Sequence, residues 1–541
     1  MGGNYSKSHK SPFANQCNKP NFLILIVDQE RYPSVYENKE LKEWRRENLV
    51  TQELLRENGF EFKRHYAGSS ACLPSRTTLC TGHYPSLHGV TQTGGTAKTP
   101  FVQNTVPTVG DYLRKAGYRL YSGKKKHLSG EDIIIPCNSG SAAATEISDR
   151  NATYATEIVE LLQSLEKGKT SDTTPWMIIG SFINPFNITS IGVPSEQSPL
   201  SNFEAHPSDP IIPIPTVGES LSMKTTAEES YRNTCPKALQ SLIDTPFYQQ
   251  VYYSLQKQAD QELLKVLQAL QKSAFYQDTI VIFLSEHGEL FGAGGVYQKW
   301  YNTYEESIHV PMIIHSPALF SGRQSTEMLT SHVDVLPTIL GLAGIDEEEV
   351  QGLLCFDHPE VRSLVGRDLT PLLSGRKRFY RANEPLYFMT DDDISSAVTT
   401  HKPYQAVTQP NSVEAVITKL QTGRDHQKEI WKYSRYCWNP QFWNNPGGEV
   451  VTVEQSDTVL SDAHEQNSLR VTSTQSPPLA DHFELYNLTT DPLEEKNLAN
   501  PAFETPESKE AQKLLNLVLN EQCRQKKLSP ISRNARSNAA I

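Results

Sequence analysis

The chain has 541 residues, enough for one large α/β unit and a smaller second one. Hydrophobic residues make up 37% and charged residues 21%, a globular rather than a disordered balance. The net charge of −11 argues against a nucleic-acid partner, because phosphate-backbone affinity is carried by clustered Lys and Arg, and any anionic substrate must be held by local positive groups.

Residues 1–20 are polar, lack the apolar stretch of a secretory signal, and read as a flexible tail. The start, Met1-Gly2-Gly3-Asn4-Tyr5-Ser6, matches the N-myristoylation pattern, a short motif that also arises by chance. The folded part opens with Asn21-Phe22-Leu23-Ile24-Leu25-Ile26-Val27, followed by Asp28-Gln29. A continuous apolar run rich in β-branched residues predicts a strand buried on both faces. It is the longest such run in the chain and too short to cross a bilayer, so no transmembrane segment is expected. Similar runs at Trp176–Phe182, Thr279–Leu284 and Val310–Ile314 predict further strands. Amphipathic stretches such as Tyr253–Ala269 and Val333–Leu342 predict helices. This alternation implies an α/β sheet with helices on both faces, in which ligands sit beyond the carboxyl ends of the strands. Asp28-Gln29 and Glu286-His287 each stand just past such an end.

Residues 189–216, rich in Pro and Ser, read as a long loop near the active face. Composition changes after Pro385. The expected organisation is a large domain over 21–385, a smaller α+β subdomain over 386–500, and a helical, then flexible, tail over 501–541. The eight cysteines, at 17, 72, 80, 137, 235, 355, 437 and 523, form no Cys-x-x-Cys pair and no dense framework. The expectation is a cytoplasmic protein with mostly free thiols.

The most specific signal is Ser70-Ala71-Cys72-Leu73-Pro74-Ser75-Arg76-Thr77-Thr78-Leu79-Cys80-Thr81-Gly82. Pro74 suits the first turn of a helix and places Cys72 at or just before its N-terminus, where backbone N–H groups favour an anion. Arg76 adds a fork of donors within the same turn. A lone cysteine is more often a small buried hydrophobe; here the neighbours argue otherwise.

This segment resembles the sulfatase signature Cys-x-Pro-Ser-Arg followed by Leu-x-Thr-Gly, and the chain is identified as a member of the formylglycine-dependent sulfatases of the alkaline phosphatase superfamily. The resemblance implies that Cys72 is oxidised to formylglycine (3-oxoalanine) by a formylglycine-generating enzyme. One oxygen of the hydrated aldehyde then attacks sulfur, and the other later expels sulfate. It implies a divalent-metal site made by Asp28, Gln29, Glu286 and His287 with the modified Cys72. Oxygen ligands suit calcium, and the imidazole leaves manganese or magnesium open. It further implies that Lys299, in a Gln298-Lys299-Trp300-Tyr301 segment ahead of Tyr304-Glu305-Glu306-Ser307, holds the sulfate together with Lys125 and His127. Those two lie in Gly123-Lys124-Lys125-Lys126-His127-Leu128, which resembles Gly-Lys-Trp-His-Leu; alignment on Gly123 would choose Lys124, and alignment on His127 chooses Lys125. The implied fold is a large mixed sheet between helices with a small antiparallel sheet at one end. The implied substrate is a small-molecule or saccharide sulfate ester.

The chain departs from the family pattern in three places. Glu286 stands where aspartate is usual, and histidines expected near Gly294 and Tyr297 are missing. Asn184-Pro185-Phe186-Asn187 replaces the usual Asn-Pro-His-Asp, and Phe186 cannot protonate a leaving oxygen, a contribution of about 10²–10⁴-fold in rate. Two rival readings are a phosphonate or phosphodiester hydrolase of the same superfamily, to which Asp28-Gln29 with His287 leans, and a non-catalytic sulfatase-like binding protein.

Overall fold

The computed structural model describes residues 19–91, 105–122, 125–126, 150–168, 173–190, 206, 209–216, 218–238, 245–299, 302–375, 381, 383–391, 410, 412–422, 428–438, 452–457, 469–474 and 480–531. The apolar run at the start of the folded part forms the strand Asn21–Asp28, buried along its whole length. Its side chains alternate between two cores. Phe22, Ile24 and Ile26 face one cluster, built with the helices Cys72–Thr81, Val109–Lys115 and Val335–Ala343. Leu23, Leu25 and Val27 face a second cluster, built with the helices Arg150–Gly168 and Thr245–Lys272. A strand sandwiched between helices has no solvent face, which is why its sequence shows no polar alternation.

The sheet around it has eight strands, in the order Gln324–Thr326, Gly59–Phe62, Met312–His315, Thr279–Ser285, Asn21–Asp28, Trp176–Pro185, Arg119–Ser122 and Lys125–Lys126. The strands from Thr279–Ser285 to Arg119–Ser122 run parallel, and Met312–His315 and Lys125–Lys126 pair antiparallel, so the sheet is mixed. In its register Val27 lies beside Ser285. Asp28 and Glu286, 258 residues apart in sequence, therefore leave the sheet side by side at the carboxyl ends of two neighbouring parallel strands.

The run Val310–Ile314 is not one strand. Pro311, which has no N–H to give a ladder, separates His309–Val310, paired with His65–Tyr66 in a small three-stranded sheet, from Met312–His315 in the large one. The helix expected over Tyr253–Ala269 is longer, Thr245–Lys272. Its Asp260 serves a second helix, Val50–Glu57, whose own N-cap residue Leu49 offers no side-chain acceptor. Asp260 accepts the Thr51 amide at 2.8 Å and the Gln52 amide at 3.3 Å. Asp260→Ala should cost about 2 kcal/mol by leaving these buried amides unpaired, read as a lower urea midpoint. An unchanged midpoint would show that this cap contributes nothing.

The small antiparallel sheet opens at Leu386 and orders Leu386–Thr390, Ser412–Gln421, Lys428–Cys437 and His482–Asn487. The helix expected at the start of 501–541 spans Pro506–Lys526 and is begun by a capping box at Thr505. Ala511, Leu515 and Leu519, spaced four apart, bury one stripe against Tyr387, Val416, Trp431 and Leu485 of this sheet. The other face of the sheet packs Phe388, Ile417 and Tyr486 on Tyr66, Ile308 and Leu329 of the large unit. There Lys432 makes a buried ion pair with Glu305 at 2.9 Å and Glu494 at 2.8 Å. No helix among the described residues is long and apolar enough to cross a membrane.

Candidate active site

Cys72 is the first residue of the helix Cys72–Thr81, which starts after Ala71 without a capping side chain and stops at Gly82, whose φ of 68° is the left-handed conformation that ends helices. Cys72 and Arg76, four residues apart, share one helical face. That face meets the carboxyl ends of the two central strands. The Cys72 sulfur lies 3.1 Å from His287 Nε2 and 3.8 Å from Asp28 Oδ1. One ligand atom from each of Asp28, Cys72, Glu286 and His287 falls within 4.8 Å of the others, and all four residues are buried.

The cations are placed just as closely. Arg76 contacts Glu286 through Nε, lies 3.5 Å from Asp28 through a terminal nitrogen, and donates to Ser181 Oγ at 2.8 Å. Lys299 Nζ donates to the Cys72 sulfur at 3.1 Å and to Gln29 Oε1 at 2.9 Å, and lies 4.9 Å from the centre of the Phe186 ring. Phe186, which stands in the position of the family histidine, thus faces the same cluster.

Protonation states follow from this packing. His287 Nδ1 lies 3.0 Å from the Gly288 carbonyl, so it carries the proton and leaves a lone pair on Nε2 aimed at the cluster. Burial, with Lys299 beside it, holds this imidazole neutral, well below its ordinary range. Burial, reinforced by Glu286, pushes the Asp28 carboxyl up to about 7 against the pull of Lys299, His287 and Arg76. Burial, reinforced by Asp28, drives the Cys72 thiol well above the ordinary thiol range.

These groups fit a divalent ion on two counts. Two carboxylates, a neutral imidazole nitrogen and the atom at position 72 converge on one point, a mixed oxygen and nitrogen donor set. Both Glu286 oxygens are buried without a hydrogen bond of ordinary geometry; one touches Arg76 Nε and the other lies 3.3 Å from His287 Nε2, which leaves carboxylate lone pairs for an ion. Gln29 adjoins the cluster with its amide oxygen towards Lys299.

Of the other expected site residues, Lys125 pairs with Ser122 at the sheet edge, and its side chain lies outside the described residues. Lys124 and His127 lie outside them altogether.

Three contributors were not singled out in the sequence. Ser181 receives Arg76. Glu289, two residues after His287, accepts from Gln29. His332 accepts the Gly68 amide at 3.1 Å through Nδ1 and lies 3.1 Å from the Ser285 carbonyl through Nε2, where Ser75 also bonds the Glu286 carbonyl at 2.6 Å. No local pattern marks His332, because the groups it joins come from two segments distant from it and from each other.

The sulfatase family profile matches residues 20–345, more than half of the chain, and the chain belongs to the sulfatase family, whose activity is the hydrolysis of sulfuric esters. It is 25% identical over 363 residues to the uncharacterized sulfatase YidJ of Escherichia coli (strain K12), covering 61% of this chain and 69% of that one. Among solved structures its fold is similar to a 2-O GAG sulfatase, with a TM-score of 0.60 and 17% identity over 96% of this chain and 94% of the other. It is also similar to the phosphonate monoester hydrolase of Agrobacterium radiobacter, with a TM-score of 0.58 and 16% identity over 93% and 96% of the two chains. These likenesses are of fold: a large mixed sheet between helices with a separate small antiparallel sheet.

Proposed function

We propose that the protein hydrolyses a sulfate ester with a formylglycine made from Cys72 and a divalent ion, calcium by preference, held by Asp28, Gln29, Glu286 and His287. The observation that carries this reading is the placement of the Cys72 sulfur among two carboxylates and an imidazole nitrogen, with Lys299 Nζ 3.1 Å away. A cysteine is a nucleophile as its thiolate, and burial and carboxylates oppose that form here. Against the pull of Lys299 this disfavours the unmodified thiol as the nucleophile, and oxidation would give the position a different one. When present, formylglycine supplies a hydrated-aldehyde oxygen as nucleophile and the ion supplies charge stabilisation.

The chain's own residues do the rest. Arg76 compensates Asp28 and Glu286, keeping two buried carboxylates close to one another. Lys299 presents its ammonium beside position 72, where a sulfate oxygen can take it as a charge-assisted partner. Arg76 and Lys299 offset the carboxyl groups of Asp28, Glu286 and Glu289, and a divalent ion would add positive charge that favours a sulfate monoester beside it. Lys125 and His127 are proposed to bind the sulfate as well, as the sequence resemblance implies.

Peptide mass spectrometry on His65–Arg76, from protein co-expressed with a formylglycine-generating enzyme, tests the modification. An aldehyde at Cys72 is the expected result, and an intact thiol beside a converted control sulfatase would defeat the reading. Parallel assays on an aryl sulfate and an aryl phosphonate test the reaction, with the sulfate expected to turn over faster. The likeness in fold to a phosphonate monoester hydrolase makes the phosphonate the comparison to run. Because Phe186 faces Lys299 and supplies no proton, Phe186→His should raise rates on esters with poor leaving groups by about tenfold or more, and far less on aryl esters. An equal effect on both would show that Phe186 does not stand beside the leaving oxygen.

A further inference from the structure

We infer that Glu289 is a positioning residue for Lys299, acting through the amide of Gln29; this rests on the reading of position 72 as the nucleophile. Glu289 is fully buried and is not one of the four groups gathered around Cys72. Its Oε1 accepts the backbone amides of Phe291 at 3.0 Å and Gln298 at 2.7 Å, and its Oε2 accepts Gln29 Nε2. The three residues it holds have φ of 63°, 70° and 73°, left-handed backbone that a residue other than glycine adopts only when its surroundings fix it. One carboxylate therefore ties the turn leading into Lys299 to the residue that follows Asp28.

The carboxylate also sets which way the Gln29 amide points. An amide has an acceptor end and a donor end, and its orientation follows from its partners. With Glu289 on one side and Lys299 on the other, only one orientation works: Nε2 gives to the carboxylate, and Oε1 receives the ammonium at 2.9 Å. The reverse would set oxygen against carboxylate and nitrogen against ammonium. Held this way, Lys299 lies with Nζ 3.1 Å from the Cys72 sulfur. Glu289 touches neither position 72 nor the space beside it, yet it decides where the cation there stands.

Glu289→Gln is the direct test. The new side chain keeps one oxygen for the Phe291 and Gln298 amides but turns an N–H₂ group towards Gln29. Donor then faces donor, either there or, if Gln29 turns over, at Lys299. On an aryl sulfate, kcat/KM should fall about 10–100-fold, the usual cost of losing a partner that orients a site residue, with the melting temperature held within a few degrees. The double variant Gln29→Glu/Glu289→Gln restores an acceptor for Lys299 and an acceptor for the new N–H₂ at unchanged total charge, and should recover at least about tenfold of that loss. Gln29→Met, which leaves Glu289 on its two backbone amides, cuts the relay at its middle and also removes a proposed ligand of the ion, so its loss should be at least that of Glu289→Gln.

Wild-type kcat/KM in Glu289→Gln, or a double variant no better than Glu289→Gln, overturns the inference while leaving the sulfatase reading intact. Wild-type protein with formylglycine in place and no turnover overturns the reading and the inference together.

Discussion

Cys72→Ala should reduce turnover of an aryl sulfate to background, a loss on the order of 10⁴–10⁶-fold, while the protein folds and melts as the wild type does. The two halves of this result have separate causes. The rate falls because position 72 is the atom on which Asp28, Glu286, His287 and Lys299 converge, and none of these can replace a covalent nucleophile. The fold survives because the helix Cys72–Thr81 is held from its far side, by Leu79 and Cys80 in the core and by Gly82 at its end. Circular dichroism and a thermal melt beside the assay would separate the two. Retained turnover in this variant would end the formylglycine mechanism, and lost folding would make Cys72 a structural residue.

The second large effect is expected from chelation. Removing divalent ions should abolish turnover and lower the melting temperature, and calcium, manganese or magnesium should restore both to differing degrees. Without an ion, Asp28 and Glu286 share a buried site with Arg76 as their closest cation, and burial has already pushed Asp28 up to about 7. An ion present at about 100 times its Kd would add about 2.7 kcal/mol to folding stability. Differential scanning fluorimetry across the three ions would rank them. Identical melts with and without chelator, together with full turnover in chelator, would show that the four donors hold no ion.

Much of the site was legible because its chemistry is written in short contiguous runs. The segment Ser70–Gly82 carries the nucleophile position, the helix start and Arg76 within a few turns of chain. Asp28-Gln29 and Glu286-His287 each follow an apolar run that can only be a buried strand. The central strands were legible for the same reason, since burial on both faces leaves an unbroken apolar stretch. The run Val310–Ile314 misled because periodicity cannot show that a proline moves the chain from one sheet to another. The helical start of 501–541 was legible too, but its apolar stripe shows its destination only once the small sheet exists to receive it.

The sequence by itself determined the residue types of the site, the buried strands and the family. Those are local properties, fixed by side-chain chemistry and by the spacing of neighbours along the chain. Only the tertiary structure decided that Asp28 and Glu286 lie side by side, since that depends on two strands 258 residues apart pairing in register, Val27 opposite Ser285. It also decided the partners that aim the site. Glu289 orients Gln29, Ser181 receives Arg76, and His332 ties Ser285 to Gly68, each by a hydrogen bond between segments with no shared sequence pattern. A hydrogen bond needs two atoms about 3 Å apart and aligned, and the packing of the sheet against its helices is what brings them there.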